Sequence, residues 1–78
     1  MIITSQMDEF TKSRDEMLTI REAEIVRLVA VGHLNKEIAQ LLTITDNTVE
    51  THLRRINQKL GAHNRTQAVA KARDLGLI

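Results

Sequence analysis

Cysteine, tryptophan and tyrosine are all absent from this sequence of 78 residues, which contains a single phenylalanine. Because cysteine is missing, the chain can form neither a disulfide framework nor a thiolate metal site, and its fold must rest on packing alone. No apolar run approaches the roughly 18 residues that a membrane-spanning helix needs, and the first residues lack the basic-then-apolar order of a signal peptide. We therefore expect a cytoplasmic protein without a membrane segment.

The length allows one small domain with a thin core, whose stability is marginal or supported by oligomerisation. Residues 1–17 mix threonine, serine and charged residues with few apolar ones, and we predict that they form a linker or a loosely packed extension. Helical patterning begins at Leu18. We therefore assign residues 18–78 to the folded domain.

Charge is distributed unevenly along the chain, although the formal net charge is only +1. The first 18 residues contain more acids than bases. From Asn47 to Arg73, Glu50 is the only acid. The cations of this stretch are Arg54, Arg55, Lys59, Arg65, Lys71 and Arg73. The second half of the chain therefore has the basic character that a nucleic-acid-binding protein needs.

Apolar residues recur at helical spacing, and no segment alternates with period two over a useful length. We therefore predict an all-α four-helix bundle with helices at about 20–31, 35–42, 46–59 and 64–75. The predicted caps are Thr19 with Glu22 for the first helix, Asn35 for the second, Thr45 or Asp46 for the third, and Asn64 with Gln67 for the fourth. Gly32, Gly61 and Gly76 are expected to follow helix ends.

The second and third predicted helices are joined by a break that is too short to separate two domains. A short helix, a tight turn and a second helix with a polar, cationic outer face are typical of helix-turn-helix DNA-binding proteins. The outer face comprises Thr51, Arg54, Arg55 and Gln58. Spacing alone leaves open an ordinary small helical bundle whose charges lie on a solvated surface.

Six motifs in the order found here resemble the LuxR/GerE-type helix-turn-helix family, over Leu18 to Ile78. They are LTIREAEI at 18–25, Gly32, NKEIA at 35–39, TVETH at 48–52, KLG at 59–61 and NRTQAV at 64–69. The resemblance implies a four-helix domain in which the third helix enters the major groove, the second braces it and the fourth serves as a dimer contact. Such domains belong to bacterial transcription regulators, often as the output half of a response regulator or of a ligand-sensing protein.

The resemblance places Glu50, Thr51 and Arg54 at base-facing positions. The guanidinium of Arg54 can make two hydrogen bonds to guanine, worth about 1–3 kcal/mol of discrimination, with a phosphate contact as its alternative. Thr51 can offer its methyl group to thymine, or its hydroxyl to a base or a phosphate. Relatives commonly have Lys or Arg where this chain has Glu50. The carboxylate of Glu50 can accept a hydrogen bond from a cytosine amino group. Alternatively, it pairs with Arg54 four residues on, which would stabilise the helix by about 0.2–0.5 kcal/mol.

Phosphate contacts position a protein on DNA without specifying sequence. The candidates are Asn35, Lys36, Asn47, Thr48, Arg55, Lys59, Asn64 and Arg65. Several of them lie at helix starts, where free amide hydrogens and the helix dipole favour an anion. Helix capping is the alternative for Asn35 and Asn64, whereas Lys36 and Arg65 each add a full charge.

The fourth predicted helix is rich in alanine, and small residues let another helix approach closely. Part of this surface must close the core, and the remainder is the candidate dimer contact: Gln67, Ala70, Lys71 and Asp74. A symmetric dimer would bind half-sites about one helical turn apart. Plain solvent exposure is the alternative. Because tryptophan and tyrosine usually anchor tight interfaces, we expect a weak homodimer.

Metal and catalytic sites are not expected. His33, His52 and His63 match no local ligand spacing, and no cysteine completes a tetrahedral set. The sequence contains no glycine-rich phosphate loop, strand-borne nucleophile turn or carboxylate pair with a supporting pocket. We therefore predict neither an enzyme nor a cofactor.

Two other functions remain open. The promoter-binding fourth region of an alternative sigma factor shares the Thr-Val-Glu and Arg-Arg pattern, although the predicted fourth helix argues against it. Alternatively, the bundle is a protein-interaction or dimerisation module without DNA affinity. RNA polymerase is a further candidate partner, and co-purification with its core would identify the sigma-like function. Binding that weakens steeply with salt would identify a DNA-binding protein.

Overall fold

The computed structural model describes residues 17–78, which form four α-helices joined by short turns. The helices are α1 (Ile20–Val31), α2 (Asn35–Leu42), α3 (Asp46–Leu60) and α4 (Arg65–Asp74). This arrangement confirms the predicted all-α four-helix bundle. The predicted extension lies outside the described residues except for Met17. None of the helices described here is long and apolar enough to cross a bilayer.

The first helix begins and ends at the predicted signals. The Glu22 amide donates to Thr19 Oγ1 at 3.1 Å, and the Thr19 amide donates to Glu22 Oε1 at 2.9 Å, which completes the predicted capping box. Gly32 follows the helix with a φ of 110°, a left-handed conformation that a residue without a side chain adopts at little cost.

The predicted cap of α2 is wrong. Leu34 is the residue with the extended backbone that precedes the helix, whereas Asn35 is its first helical residue. An N-cap side chain folds back onto the first turn from an extended backbone, so Asn35 is one position too late to cap. Glu37 instead closes the first turn by accepting from the Leu34 amide at 2.9 Å.

Helix α3 is capped by Thr45, whose Oγ1 accepts from the Thr48 amide at 3.1 Å. The helix includes Leu60, one residue beyond the predicted end. Helix α4 is capped by Asn64 as predicted, because its Oδ1 accepts from the Gln67 amide at 2.8 Å. This helix already ends at Asp74, ahead of the expected stop at Gly76.

The core receives side chains from all four helices and from the segments that flank them. Its buried apolar residues are Leu18, Ile25, Val26, Ile38, Ala39, Val49, Leu53, Ile56, Leu60, Ala68, Ala72 and Leu77. Helix α3 packs against each of the other three helices. Its buried positions 49, 53, 56 and 60 follow helical spacing and share one face. The opposite face of α3 therefore points to solvent.

Candidate nucleic-acid interface

A three-residue turn, residues 43–45, joins α2 to α3. Thr43 adopts a left-handed conformation with φ 59° and ψ 47°, and it is the non-glycine residue with positive φ in the part of the chain that the structure describes. The Ile44 amide donates to the Ala39 carbonyl at 2.9 Å, while the Ile44 side chain packs on the core. The turn thereby fixes the angle at which α3 leaves α2.

The outward face of α3 carries Glu50, Arg54, Arg55 and Gln58, all exposed. No ion pair or hydrogen bond from Arg54 or Arg55 to another side chain is found within residues 17–78. Glu50 and Arg54, which the sequence allows to pair four residues apart, do not form an ion pair. Both guanidinium groups are therefore available to an external anion or base.

Two threonines of α3 use their hydroxyl groups within the protein. Thr51 Oγ1 donates to the Asn47 carbonyl at 3.0 Å, and the Thr48 and Thr45 hydroxyl oxygens lie 2.9 Å apart. The hydroxyl of Thr51 thus has a backbone partner, which favours its methyl group as the part that meets a ligand. Asn47 is exposed at the start of the helix.

The candidate phosphate-binding cations fall into two groups. Lys36 and Arg55 are exposed and have no side-chain partner among the described residues. Lys59 donates from Nζ to Glu22 Oε1 at 2.7 Å, and Glu22 is 3% exposed. Arg65 donates from Nη1 to Asn35 Oδ1 at 2.8 Å and from Nη2 to the His33 carbonyl at 3.0 Å. Lys59 and Arg65 therefore already have acceptors inside the protein.

Glu37 lies at the start of α2 on the exposed surface. The hydrogen bond from the Leu34 amide, followed by the one from His33 at 3.2 Å, lowers the pKa of the Glu37 carboxyl below 4.5. The carboxylate is thus favoured at the N-terminus of the helix, where the dipole also favours negative charge.

The candidate dimer contacts Gln67, Ala70, Lys71 and Asp74 all lie on the exposed surface of α4. Lys71 also donates to the Gly61 carbonyl at 3.0 Å. Gln67 accepts from the His63 amide at 2.8 Å, a capping role that it was expected to play toward Asn64. The sequence predicts neither the bond from Lys71 to Gly61 nor the bond from His63 to Gln67, because each depends on how the turn before α4 folds.

Three other contacts near the interface are not predicted from the sequence. These are the pairing of Glu22 with Lys59, the bridge from Arg65 to Asn35, and the closure of α2 by Glu37. A glutamate three residues after Leu34 was a usable signal for the last. The first two join residues far apart in sequence, which no local pattern identifies. In the part of the chain that the structure covers, no group of His, Asp or Glu is placed to hold a metal ion.

The chain is similar in sequence to known regulatory proteins. The chain is 43% identical over 65 residues to the CsgBAC operon transcriptional regulatory protein of Escherichia coli strain K12, covering 83% of the chain and 30% of that protein. It is 51% identical over 63 residues to the response regulator protein VraR of Staphylococcus aureus strain Mu3, covering 81% of the chain and 30% of VraR. The chain thus spans about a third of the length of these relatives.

The fold also matches a solved structure. The structure of the transcription factor GerE superposes with a TM-score of 0.75 and 38% sequence identity, covering 78% of this chain and 91% of that one. The family described as bacterial regulatory proteins, luxR family, matches residues 16–72. The chain therefore belongs to the luxR family of bacterial regulatory proteins and contains its helix-turn-helix domain.

Proposed function

We propose that this chain binds double-stranded DNA sequence-specifically, with α3 in the major groove, as a bacterial transcription regulator or its output domain. One observation carries the proposal: the outward face of α3 presents Arg54 and Arg55 without side-chain partners among residues 17–78, while the opposite face is buried in the core. The major groove of B-DNA admits one α-helix and displays a distinct hydrogen-bonding pattern for each base pair. Membership of the luxR family supports the same function.

Sequence discrimination falls to Glu50, Thr51 and Arg54 in this proposal. Arg54 donates two hydrogen bonds to a guanine, and Thr51 places its methyl group near a thymine, since its hydroxyl is bonded to the Asn47 carbonyl. Glu50 is exposed and unpaired with Arg54, so it is available to accept from a cytosine amino group. A carboxylate at this position disfavours any base edge that offers only acceptors.

Phosphate contacts come mainly from Lys36, Asn47 and Arg55, whose side chains are exposed. Asn35, Thr48, Lys59 and Asn64 remain candidates whose polar groups have partners inside the protein, whereas both donors of Arg65 seen in the structure are taken up by Asn35 and His33. The amide groups that open α3 supply further donors to a phosphate. Such contacts fix the orientation of the domain on the duplex.

The exposed side of α4 is the proposed surface for self-association. Residues 67, 70, 71 and 74 of α4 form a small exposed surface that suits a weak homodimer, strengthened when two copies occupy adjacent half-sites. RNA polymerase is a further proposed partner, and the cytoplasm is the proposed location. The input domain of a longer regulator would supply the signal.

Selection of bound genomic fragments tests the DNA-binding function. The wild-type chain is expected to enrich one sequence, and Arg54→Ala should relax the preference at a guanine by about 1–3 kcal/mol. Arg27→Ala is the matched control, because Arg27 is an exposed arginine of α1 that lines a surface depression with Glu24, Leu28 and Leu42, none of which belongs to α3. If the wild type enriches nothing, the function is wrong. If Arg54→Ala enriches the same sequence equally well, the role of Arg54 is wrong.

A further inference from the structure

Arg65 is the first residue of α4, and its guanidinium is part-buried between two helix starts. Two of its nitrogens donate to Asn35 Oδ1 and to the His33 carbonyl, at 2.8 and 3.0 Å. One planar group thereby joins the start of α4 to the start of α2. We propose that Arg65 is a positioning residue for DNA binding, which holds the N-terminus of α2 in place and is not a phosphate ligand. This inference rests on the function proposed above.

The turn between α1 and α2 shows what Arg65 contributes. The His33 amide donates to the Leu28 carbonyl at 3.1 Å, and the Leu34 amide donates to Glu37 at 2.9 Å. Arg65 then satisfies the His33 carbonyl, which would otherwise need a water partner. With both amides and this carbonyl bonded, the entry into α2 is held from three directions.

Helix α2 transmits this constraint to α3. Ile38 and Ala39 of α2 belong to the same buried cluster as Val49 and Leu53 of α3. The two helices pack directly against each other across the tight turn. A shift at the start of α2 therefore displaces the buried face of α3, and with it the angle of the outward face toward DNA.

The substitution Arg65→Lys distinguishes a positioning residue from a phosphate ligand. A guanidinium presents a rigid fork of donors, whereas an ammonium is a point charge on a flexible stem. Arg65→Lys keeps the charge that a phosphate requires and loses the fork that reaches both Asn35 and His33. A phosphate ligand would tolerate this change, and a positioning residue would not.

The experiment measures Kd for the selected duplex between about 50 and 200 mM salt with Arg65→Lys, Arg65→Ala and Lys36→Ala. We expect both Arg65 variants to weaken binding about tenfold, or about 1.4 kcal/mol, with the wild-type salt slope. Lys36→Ala, the control that removes an unpartnered cation, should reduce the slope by about 0.9. If Arg65→Lys binds like wild type, or if Arg65→Ala reduces the slope as Lys36→Ala does, Arg65 is a phosphate ligand.

Amide hydrogen exchange in the free protein gives a readout that does not depend on DNA. Arg65→Lys should accelerate exchange at Ile38, whose amide donates to the Leu34 carbonyl at 2.9 Å, whereas Lys36→Ala should not. Unchanged exchange in Arg65→Lys overturns the positioning role. If the wild type selects no duplex, the proposed function fails, and the exchange result still decides whether Arg65 holds α2.

Discussion

Lys59 near the end of α3 and Glu22 in the first turn of α1 form an ion pair whose members differ in exposure. The Lys59 Nζ to Glu22 Oε1 distance is 2.7 Å, and the side chains are 30% and 3% exposed. The same carboxylate oxygen accepts from the Thr19 amide. Lys59→Met keeps a long aliphatic stem but removes the ammonium, so it leaves a buried carboxylate with backbone support alone.

Removing one partner of a buried ion pair typically costs about 3–5 kcal/mol. Here Lys59 is partly exposed and Glu22 retains the bond from Thr19, so we expect Lys59→Met to lower the free energy of unfolding by about 2 kcal/mol. In a domain of this size, that corresponds to a fall in Tm of about 10 °C. Urea unfolding monitored by circular dichroism would measure the loss, with the m value unchanged.

Substitution of the other partner, Glu22, should lower the free energy of unfolding by less. Glu22→Gln leaves an ammonium that can turn toward water, and we expect a loss of about 1 kcal/mol from the weakened hydrogen bonds. The double variant should be more stable than the sum of the two losses predicts. Glu24→Gln is the control, because it breaks the exposed pair between Arg21 and Glu24 at 3.7 Å and should cost under about 0.5 kcal/mol. Equal losses in Lys59→Met and Glu24→Gln would refute the reasoning.

Two further outcomes are expected. Thr43→Gly should stabilise the domain by about 0.5–1 kcal/mol in urea unfolding, because a β-branched residue at φ 59° is strained; a loss of stability would contradict this. Because the pKa of Glu37 is lowered in the folded protein, the carboxylate of Glu37 adds to the free energy of unfolding above pH 4.5, and this contribution is lost as the pH falls below 4.5. Below pH 4.5, the free energy of unfolding should fall less steeply with decreasing pH in Glu37→Gln than in the wild type. Identical pH dependence in the two proteins would exclude this contribution.

The helix bounds could be predicted mainly from capping residues and from the glycine that follows the first helix. Thr19 with Glu22, Gly32, Thr45 and Asn64 set helix bounds through contacts within three or four residues, and the structure contains these contacts. Asn35 failed as a cap because Leu34, which has no side-chain oxygen, takes the capping backbone conformation. Sequence patterns favour the polar residue at a cap, and here the glutamate that follows supplies the hydrogen bond instead.

The sequence predicts which face of α3 is exposed, but it does not predict which cations of the candidate site are bonded to other residues of the protein. The exposed face of α3 follows from the helical spacing of its buried residues, which the sequence displays. Whether a cation such as Lys59 or Arg65 points to solvent depends on which acceptors the other helices bring near it. Those acceptors, Glu22 and Asn35, lie far away along the chain, so only the packed structure identifies them.

The division of α3 into two faces has a consequence for how such a domain can diversify. Val49, Leu53 and Ile56 belong to the core, whereas the side chains at positions 50, 54 and 55 are exposed and form no ion pair or hydrogen bond within residues 17–78. Substitutions at exposed positions of this kind usually change stability by no more than about 0.5 kcal/mol. New combinations at the outward positions can therefore arise without compensating changes in the interior, and target preference is free to drift between relatives while the scaffold stays constant.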